Sequence, residues 1–292
     1  MYNLSDELIK MMDKAWRVRS ENFTNDIEFD IPVKTLPVSV TGEYCELKCA
    51  HCNGHYLKGM TPVENVDKQV INEYDSFLVS GGCNKEGVVE LDKHLEFLKQ
   101  LKDSGKKINM HLGLIDEEKI EKIKDLADCV SFDFVVDDET IKEVYGLNKT
   151  YKDYINTYKK LKDKTKVVPH ICIGLKGGEV KGECKALDVL KEIGVDALVF
   201  IIFIPTQGTV YENRKSPHLD EIVKILAQAR VQFPDKPIHL GCMKAKGKIR
   251  KYIDYYAVKC GVNKIVNPTD YAVKAAEELQ LSIKKGQECC VL

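Results

Sequence analysis

Three cysteines in one short segment have the most distinctive chemistry of this 292-residue chain. Cys45, Cys49 and Cys52 have the spacing C-x3-C-x2-C and follow the apolar, β-branched run 36–41. Three thiolates on one tight loop can bind three irons of a cubane [4Fe–4S] cluster, which leaves the fourth iron open to a small molecule. Ferredoxin-type spacings differ, because they include a fourth cysteine.

The same segment also fits a zinc site. With His55, the three thiols would complete a Cys3His tetrahedron. The chain has eleven cysteines and no signal-peptide pattern at its start, so we expect reduced thiols that bind metal rather than form disulfides. The position of the motif, between a strand and a helix of a long α/β chain, favours the iron–sulfur interpretation.

Composition narrows the class of protein. The chain is 44% apolar and 30% charged, which is typical of a globular protein with a substantial core. Its net charge is −1 and its charges are mixed in sign, so we expect neither nucleic acid nor a membrane as partner, and a cytoplasmic location. The basic residues in 244–251 are expected on a solvated loop and helix start, with contact to an anionic group as the alternative.

Short β-branched runs alternate with longer amphipathic runs along the chain. Eight strands, each followed by a helix, predict an α/β fold, a (β/α)8 TIM-type barrel. The predicted strands cover residues 38–41, 77–80, 107–112, 130–136, 167–175, 197–204, 237–242 and 264–266. The clearest helices start at residue 92 or cover 151–161, 184–193, 219–233 and 269–279. We expect an N-terminal helical extension, 1–30, the barrel, 31–280, and a cysteine-containing tail, 281–292.

The cysteine motif, placed after the first predicted strand, resembles that of the radical S-adenosylmethionine (SAM) superfamily. In that family the open iron binds the amino and carboxylate groups of SAM, and reductive cleavage of SAM gives a 5′-deoxyadenosyl radical. A complete barrel is similar to the biotin synthase branch, and the similarity is clearest over 36–59 and 167–209. The resemblance implies a [4Fe–4S] cluster on Cys45, Cys49 and Cys52, SAM, and a ferredoxin- or flavodoxin-type reductant.

Two further features match the SAM-binding elements of that family. Ser80, Gly81 and Gly82 end the second predicted strand and resemble a Gly-Gly element that faces the amine of SAM, where glycine permits close backbone approach. His51 precedes the third cysteine, at the place of an aromatic ring in the family. The resemblance implies that it packs near the cluster or adenine; a purely structural ring is the alternative.

The fourth and fifth predicted strands supply more candidates. The fifth resembles the family's G-x-I-x-G-x-x-E element, which packs on adenine, and strand alternation puts His170, Cys172 and Gly174 on one face. Cys172 is alternatively a small buried apolar residue. On the fourth strand Asp133 and Asp137 share a face, and a carboxylate inside a barrel needs a partner. We favour Asp137 for a ribose hydroxyl or substrate group, with helix capping as an equal alternative.

Four further thiols are candidates for an auxiliary cluster. Cys83 follows the Gly-Gly element, and Cys242 ends the seventh predicted strand, both at the end of the barrel that bears active sites. Cys289 and Cys290 lie in the tail, which can return to the barrel mouth because its extended reach of roughly 40 Å exceeds the roughly 17 Å of the last helix. Otherwise these are flexible thiols.

The chain departs from biotin synthase at the sulfur-donating cluster. By register, Asn109, Val168 and His239 replace two cysteine ligands and an arginine ligand, so biotin synthesis is not expected. The pattern Thr-Gly-x-x-Cys followed by His-Cys-Asn-Gly-His-Tyr-Leu, with the Cys-Cys ending, is similar to bipartite archaeal-type lipoyl synthases.

That second resemblance implies sulfur insertion into a protein-bound octanoyl chain. It also implies an octanoylated carrier protein and a paired radical SAM protein as partners. Two alternatives remain: a single-cluster radical SAM methyltransferase, mutase or lyase in cofactor biosynthesis, and a non-catalytic zinc-binding barrel.

Overall fold

A computed structural model describes residues 2–292. The strands are β1 Asp26–Asp30, β2 Thr35–Ser39, β3 Thr61–Pro62, β4 Ser76–Ser80, β5 Lys107–His111, β6 Cys129–Asp133, β7 Val167–Ile173, β8 Leu198–Ile202, β9 Ile238–Leu240, β10 Lys264–Val266 and β11 Ser282–Gly286. The helices are α1 Asp6–Asn22, α2 Lys68–Glu73, α3 Leu95–Asp103, α4 Glu117–Ile123, α5 Asp138–Thr140, α6 Tyr151–Lys162, α7 Glu183–Ile193, α8 Leu219–Gln232, α9 Ile249–Lys259 and α10 Asp270–Glu278.

The chain forms two compact units. The central unit consists of Val33–His170, Pro205–Asn213 and Val291–Leu292. The terminal unit consists of Met1–Pro32, Ile171–Ile204 and Arg214–Cys290. Strand β7 begins in the central unit and ends in the terminal unit.

Parallel strands build the central unit, in the order β7-β6-β5-β4-β2-β3. Their inner residues are almost fully buried, as for Phe77, Met110 and Val130. Ser39 pairs with Ser80 across β2 and β4, and Asp133 pairs with His170 across β6 and β7. Because the strands are parallel, their carboxyl ends share one edge, where the connecting loops bring polar side chains together.

The terminal unit has parallel strands in the order β8-β9-β10-β1-β11. Helix α1 packs against α8, and α9 against α10. Near the end of α8 the buried guanidinium of Arg230 donates hydrogen bonds to the carbonyls of Phe233, Lys236 and Gly261. Each buried donor thereby has an acceptor, which offsets the cost of burying the charge.

All eight predicted strands are confirmed, within a few residues of their ends. The structure adds β1 inside the expected N-terminal extension, β11 inside the expected tail, and the two-residue β3. DIEFD alternates charged with apolar residues, and SIKKG has a single apolar side chain followed by two lysines, so both lack the apolar run by which the other strands were found. These two strands pair with each other in parallel.

One expectation about the basic cluster was wrong. Lys244 is not on a solvated face: its side chain is 0% exposed and its Nζ lies 2.9 Å from Asp254 Oδ1. The helix expected to start in this cluster is α9, and it supplies this carboxylate. The neighbours Lys246 and Lys248 are exposed, as expected. Among the helices formed by residues 2–292, none has both the length and the hydropathy of a membrane span.

Candidate functional site

The cluster loop, residues 40–54, follows β2 and is fixed to the end of β4. Thr41 Oγ1 accepts a hydrogen bond from Gly82 N at 2.7 Å and donates one to Tyr44 O at 2.8 Å. Glu46 N donates to Cys83 O at 2.9 Å. The first half of the loop is therefore held against residues 82 and 83.

Gly82 meets a steric requirement of this loop. A Cβ atom at that position would lie 1.9 Å from Tyr44 O and 2.6 Å from Cys45 Cα. Only glycine permits this approach, so the Gly-Gly element has a structural reason that its sequence alone did not reveal. Ser80 Oγ donates to His111 O at 3.2 Å. Contact of Ser80, Gly81 and Gly82 with SAM stays a prediction.

The second half of the loop turns tightly around Cys49. Its carbonyl oxygen accepts hydrogen bonds from the backbone N–H groups of Cys52 and Asn53, at 3.2 and 2.9 Å. Lys48 and Asn53 have φ angles of 48° and 44°, in the left-handed region. Ala50 N donates to Val144 O at 2.7 Å. These turns bring the second and third thiols of the motif close together.

The metal-binding atoms of Cys49, His51 and Cys52 lie within 4.8 Å of one another. No other group of three His, Cys, Asp or Glu residues meets this limit among residues 2–292. Cys45 Sγ lies outside the group, 3.8 Å from Cys83 O, and His55 is exposed. The alternative Cys3His zinc set is therefore not assembled, although three thiols on one loop do fit a cubane, which binds each thiolate through a different iron.

The electrostatic surroundings of Cys52 in this loop favour its thiolate form. A hydrogen bond from Cys49 and the neighbouring His51 together lower the pKa of Cys52 to about 4, against the opposing effect of burial. The same hydrogen bond and burial raise the pKa of Cys49. Burial raises the pKa of Cys83 to about 12. The His51 ring lies edge-on to Tyr145 with centroids 5.8 Å apart, and its buried Nδ1 has no hydrogen-bond partner.

A pair of ionisable side chains, His111 and Asp133, lies at the ends of β5 and β6. His111 Nε2 is 3.4 Å from Asp133 Oδ2, and the two side chains are 35% and 41% exposed. Burial opposes both charges, but each partner outweighs it: the pKa of Asp133 falls to about 2, helped by His170, and the pKa of His111 rises. Burial lowers the pKa of His170 to about 4, so this ring is neutral.

The sequence missed His111. A single histidine in a predicted strand has no partner at a recognisable spacing, and the only available signal was its position on the strand beside the one that ends in Asp133. Asp137, favoured as a ribose ligand, caps α5: its Oδ2 accepts from Thr140 N at 2.8 Å and from Thr140 Oγ1 at 2.6 Å. Its contact with SAM stays a prediction.

In the terminal unit, a glutamate that the sequence did not predict as a site residue accepts a hydrogen bond at the end of β7. Gly174 N donates to Glu183 Oε1 at 2.7 Å, and burial raises the pKa of Glu183 to about 7. A Cβ on Gly174 would lie 2.8 Å from Pro217 Cγ. Glu179, the glutamate of the resembled motif, is exposed, and Cys172 is half-buried.

Three of the four auxiliary-cluster candidates lie together in the terminal unit. His239 Nδ1 donates a hydrogen bond to Cys290 O at 2.7 Å, which attaches the tail to β9. Burial raises the pKa of the Cys290 thiol, and so do the nearby thiols of Cys289 and Cys242. Cys83 instead lies by the cluster loop of the central unit. An auxiliary cluster stays a prediction.

The chain is similar to several known proteins, although no protein-family profile matches it. It is 24% identical over 248 residues to a biotin synthase of Coxiella burnetii, an alignment that covers 79% of this chain and 75% of that one. The crystal structure of methylornithine synthase (PylB) superposes with a TM-score of 0.66 at 19% identity, covering 92% of this chain and 80% of that one. The X-ray structure of the FeFe-hydrogenase maturase HydG from Carboxydothermus hydrogenoformans gives a TM-score of 0.69 at 15% identity, covering 97% and 73%.

These similarities support a place for this chain in the radical SAM superfamily. The structural similarities confirm the predicted TIM-type radical SAM fold. Radical SAM homologues imply a [4Fe–4S] cluster and SAM, and the donor set of the cluster loop fits such a cluster. One fold can carry out different reactions, so the reaction of this chain depends on the residues beside the cluster loop.

Proposed function

We propose that this chain is a radical SAM enzyme, that it cleaves SAM reductively at a cluster held by Cys45, Cys49 and Cys52, and that the 5′-deoxyadenosyl radical activates a C–H bond. Three thiols on one loop, held by the close approach of Gly82, carry this proposal. When bound, the cluster and SAM supply the one-electron chemistry. The protein's own residues fix the loop and bury Cys49, which is 7% exposed.

We further propose that the reaction inserts sulfur into a protein-bound octanoyl chain, as a lipoyl synthase does. The clustering of Cys242, Cys289 and Cys290 in the terminal unit supports an auxiliary sulfur-containing cluster. The hydrogen bond from His239 to the Cys290 carbonyl holds the tail against β9, the strand that precedes Cys242. The proposed partners are an octanoylated carrier protein, a paired radical SAM protein, and a ferredoxin- or flavodoxin-type reductant.

One observation favours the single-cluster alternative, a methyltransferase, mutase or lyase. Within residues 2–292, only the cluster loop brings three metal-binding side chains within 4.8 Å of one another. The three terminal-unit thiols do not converge to that extent. Counting clusters therefore separates the two candidates.

The deciding experiment compares wild type with a Cys45→Ala/Cys49→Ala/Cys52→Ala variant after anaerobic reconstitution. Iron, sulfide and EPR spectra are measured, together with 5′-deoxyadenosine formed under dithionite. We expect the variant to form no 5′-deoxyadenosine and to retain a single cluster. Cys184→Ala, on α7, is the matched control and should behave as wild type.

Each other outcome overturns a particular part of the proposal. If the variant retains no cluster, the proposal of sulfur insertion is refuted and the single-cluster alternative remains. A variant that still forms 5′-deoxyadenosine refutes the assigned ligands. Wild type that binds zinc and no iron would support the non-catalytic zinc-binding alternative.

A further inference from the structure

We propose that Asp133, oriented by His111, binds the substrate by accepting a hydrogen bond from a neutral N–H donor, the amide that joins the octanoyl chain to a lysine of its carrier. This inference rests on the proposed function for the identity of the substrate. It assigns Asp133 to substrate binding and His111 to positioning, roles that the cluster loop does not supply.

The surroundings of the pair are those of a ligand site. Burial is the largest single influence on the pKa of both His111 and Asp133, so protein surrounds them. Their side chains are nevertheless 35% and 41% exposed. The pair is therefore accessible to a ligand, although part of each side chain packs against protein. A carboxylate there has several acceptor sites, and His111 occupies only one direction.

The charge of the pair selects the kind of ligand. Asp133 is ionised, because its pKa is about 2, and an ionised carboxylate can only accept hydrogen bonds. Its ligand must therefore offer an N–H or O–H group. The carboxylate raises the pKa of His111, and the ring balances the negative charge when it is protonated, so a neutral donor such as an amide fits better than an ammonium group.

The pair also lies on the side of the central unit that bears the cluster loop. The Cys83 thiol interacts electrostatically with Asp133 and with Cys45 and Cys52. The Tyr154 hydroxyl interacts with Asp133 and Cys49. An amide bound at Asp133 would therefore hold the attached acyl chain on the side where the radical forms, which is what positioning for C–H abstraction requires.

Two other ligands are possible in principle for such a pair. A metal ion is disfavoured, since His111, Asp133 and His170 do not bring their ligand atoms within 4.8 Å of one another. A ribose hydroxyl of SAM is the remaining competitor, because it is also a neutral donor. The two differ in what the loss of Asp133 would weaken: binding of SAM or binding of the acylated peptide.

The test uses two fluorescent peptides that differ in one atom. One carries octanoyl-lysine, and the other carries the ester in which oxygen replaces the amide N–H. Fluorescence anisotropy measures their binding to the reconstituted protein with SAM, and equilibrium dialysis measures SAM binding. A hydrogen bond to a charged acceptor predicts that wild type binds the amide about tenfold more tightly than the ester.

Substitutions of Asp133 and His111 test whether this preference for the amide depends on them. Asp133→Ala should reduce the preference to within about twofold, whereas Asp133→Asn, whose neutral oxygen accepts more weakly, should leave about threefold. His111→Ala should weaken the preference, and His111→Gln, which keeps a donor toward Asp133, should restore part of it. Asp125→Ala, at an exposed aspartate of the central unit, is the control and should keep the full preference.

The outcomes separate this inference from the proposed function. If both Asp133 variants keep the tenfold preference, the pair does not bind the amide, although octanoyl-lysine remains the substrate. A tenfold loss of SAM affinity in Asp133→Asn would assign the residue to ribose and overturn the inference. If wild type binds neither peptide, the octanoyl substrate and the amide assignment both fall, while reductive cleavage of SAM is unaffected.

Discussion

Two acid–base pairs, one in each unit, show how similar contacts serve different purposes. Lys244 and Asp254 lie 2.9 Å apart with both side chains 0% exposed, and Lys244 Nζ also donates to Val266 O at 2.8 Å. His111 and Asp133 lie 3.4 Å apart and remain 35% and 41% exposed. The first pair is enclosed by its own fold, whereas the second still has room for a ligand.

The two pairs differ in whether the protein itself occupies both oxygens of the aspartate. Asp254 uses its second oxygen to accept from Thr269 N at 2.8 Å, so both of its oxygens are engaged by the surrounding loops. Such a pair specifies one arrangement of the chain and leaves nothing for a ligand. Exposure of an otherwise desolvated pair is therefore a better sign of function than its charge or distance.

The largest expected effect follows from breaking the enclosed pair. Lys244→Met removes the cation and leaves Asp254 buried without it, which should lower the free energy of unfolding by about 3–5 kcal/mol. Urea unfolding followed by circular dichroism measures this change. Lys246→Met, at an exposed lysine two residues away, is the control and should change it by less than about 0.5 kcal/mol. Equal effects of the two variants would show that the buried ion pair of Lys244 does not stabilise the fold.

A smaller effect is expected at the loop beside the open pair. Gly82→Ala places a Cβ against Tyr44 O, so we expect the variant to lose most of its iron after reconstitution and about 1–3 kcal/mol of unfolding free energy. Iron content and urea unfolding measure the two effects. Gly59→Ala is the matched control, since nothing lies within 4 Å of its added Cβ. A Gly82→Ala protein with full iron content would show that the loop yields easily.

The smallest effect concerns the open pair itself. The pKa of His111 should lie above 6.5 and fall below it in Asp133→Asn, because burial then acts without the opposing carboxylate. NMR titration of the imidazole signals measures it. Since the pKa of His111 is raised on folding, its contribution to stability is present below pH 6.5 and lost as pH rises through the folded pKa. We expect this contribution to the free energy of unfolding to be less than about 1 kcal/mol. An unchanged pKa of His111 in Asp133→Asn would show that the two side chains do not interact.

The sequence predicted features that are local in the chain. The three thiols of the cluster loop lie within eight consecutive residues, and an apolar run such as that of β4 can be recognised as a strand from the sequence itself. His111 and Lys244 could not be recognised in this way, because their partners are on other elements and a pair is visible only once strand register or helix packing is known. The meeting of Cys290 with Cys242 is of the same kind, and the reach of the tail could be bounded but its position could not.

Asp137 shows a different limit. Its place after β6 suits either a ligand or a helix cap, and residue type does not distinguish them, since the same carboxylate oxygen serves both. The structure shows the cap, in two hydrogen bonds with Thr140. Spacing can thus propose the residue, but only the surrounding donors show what its side chain already does.

Arg230 should affect how the amide hydrogens in part of the terminal unit exchange with solvent. One guanidinium joins the end of α8, the segment that holds Phe233 and Lys236, and the turn at Gly261 that precedes β10. If any one of these segments opened alone, a buried charged donor would lose its acceptor, so the three segments open together. Amide hydrogens in all three should therefore share one protection factor, and this part of the chain behaves as a single cooperative opening unit.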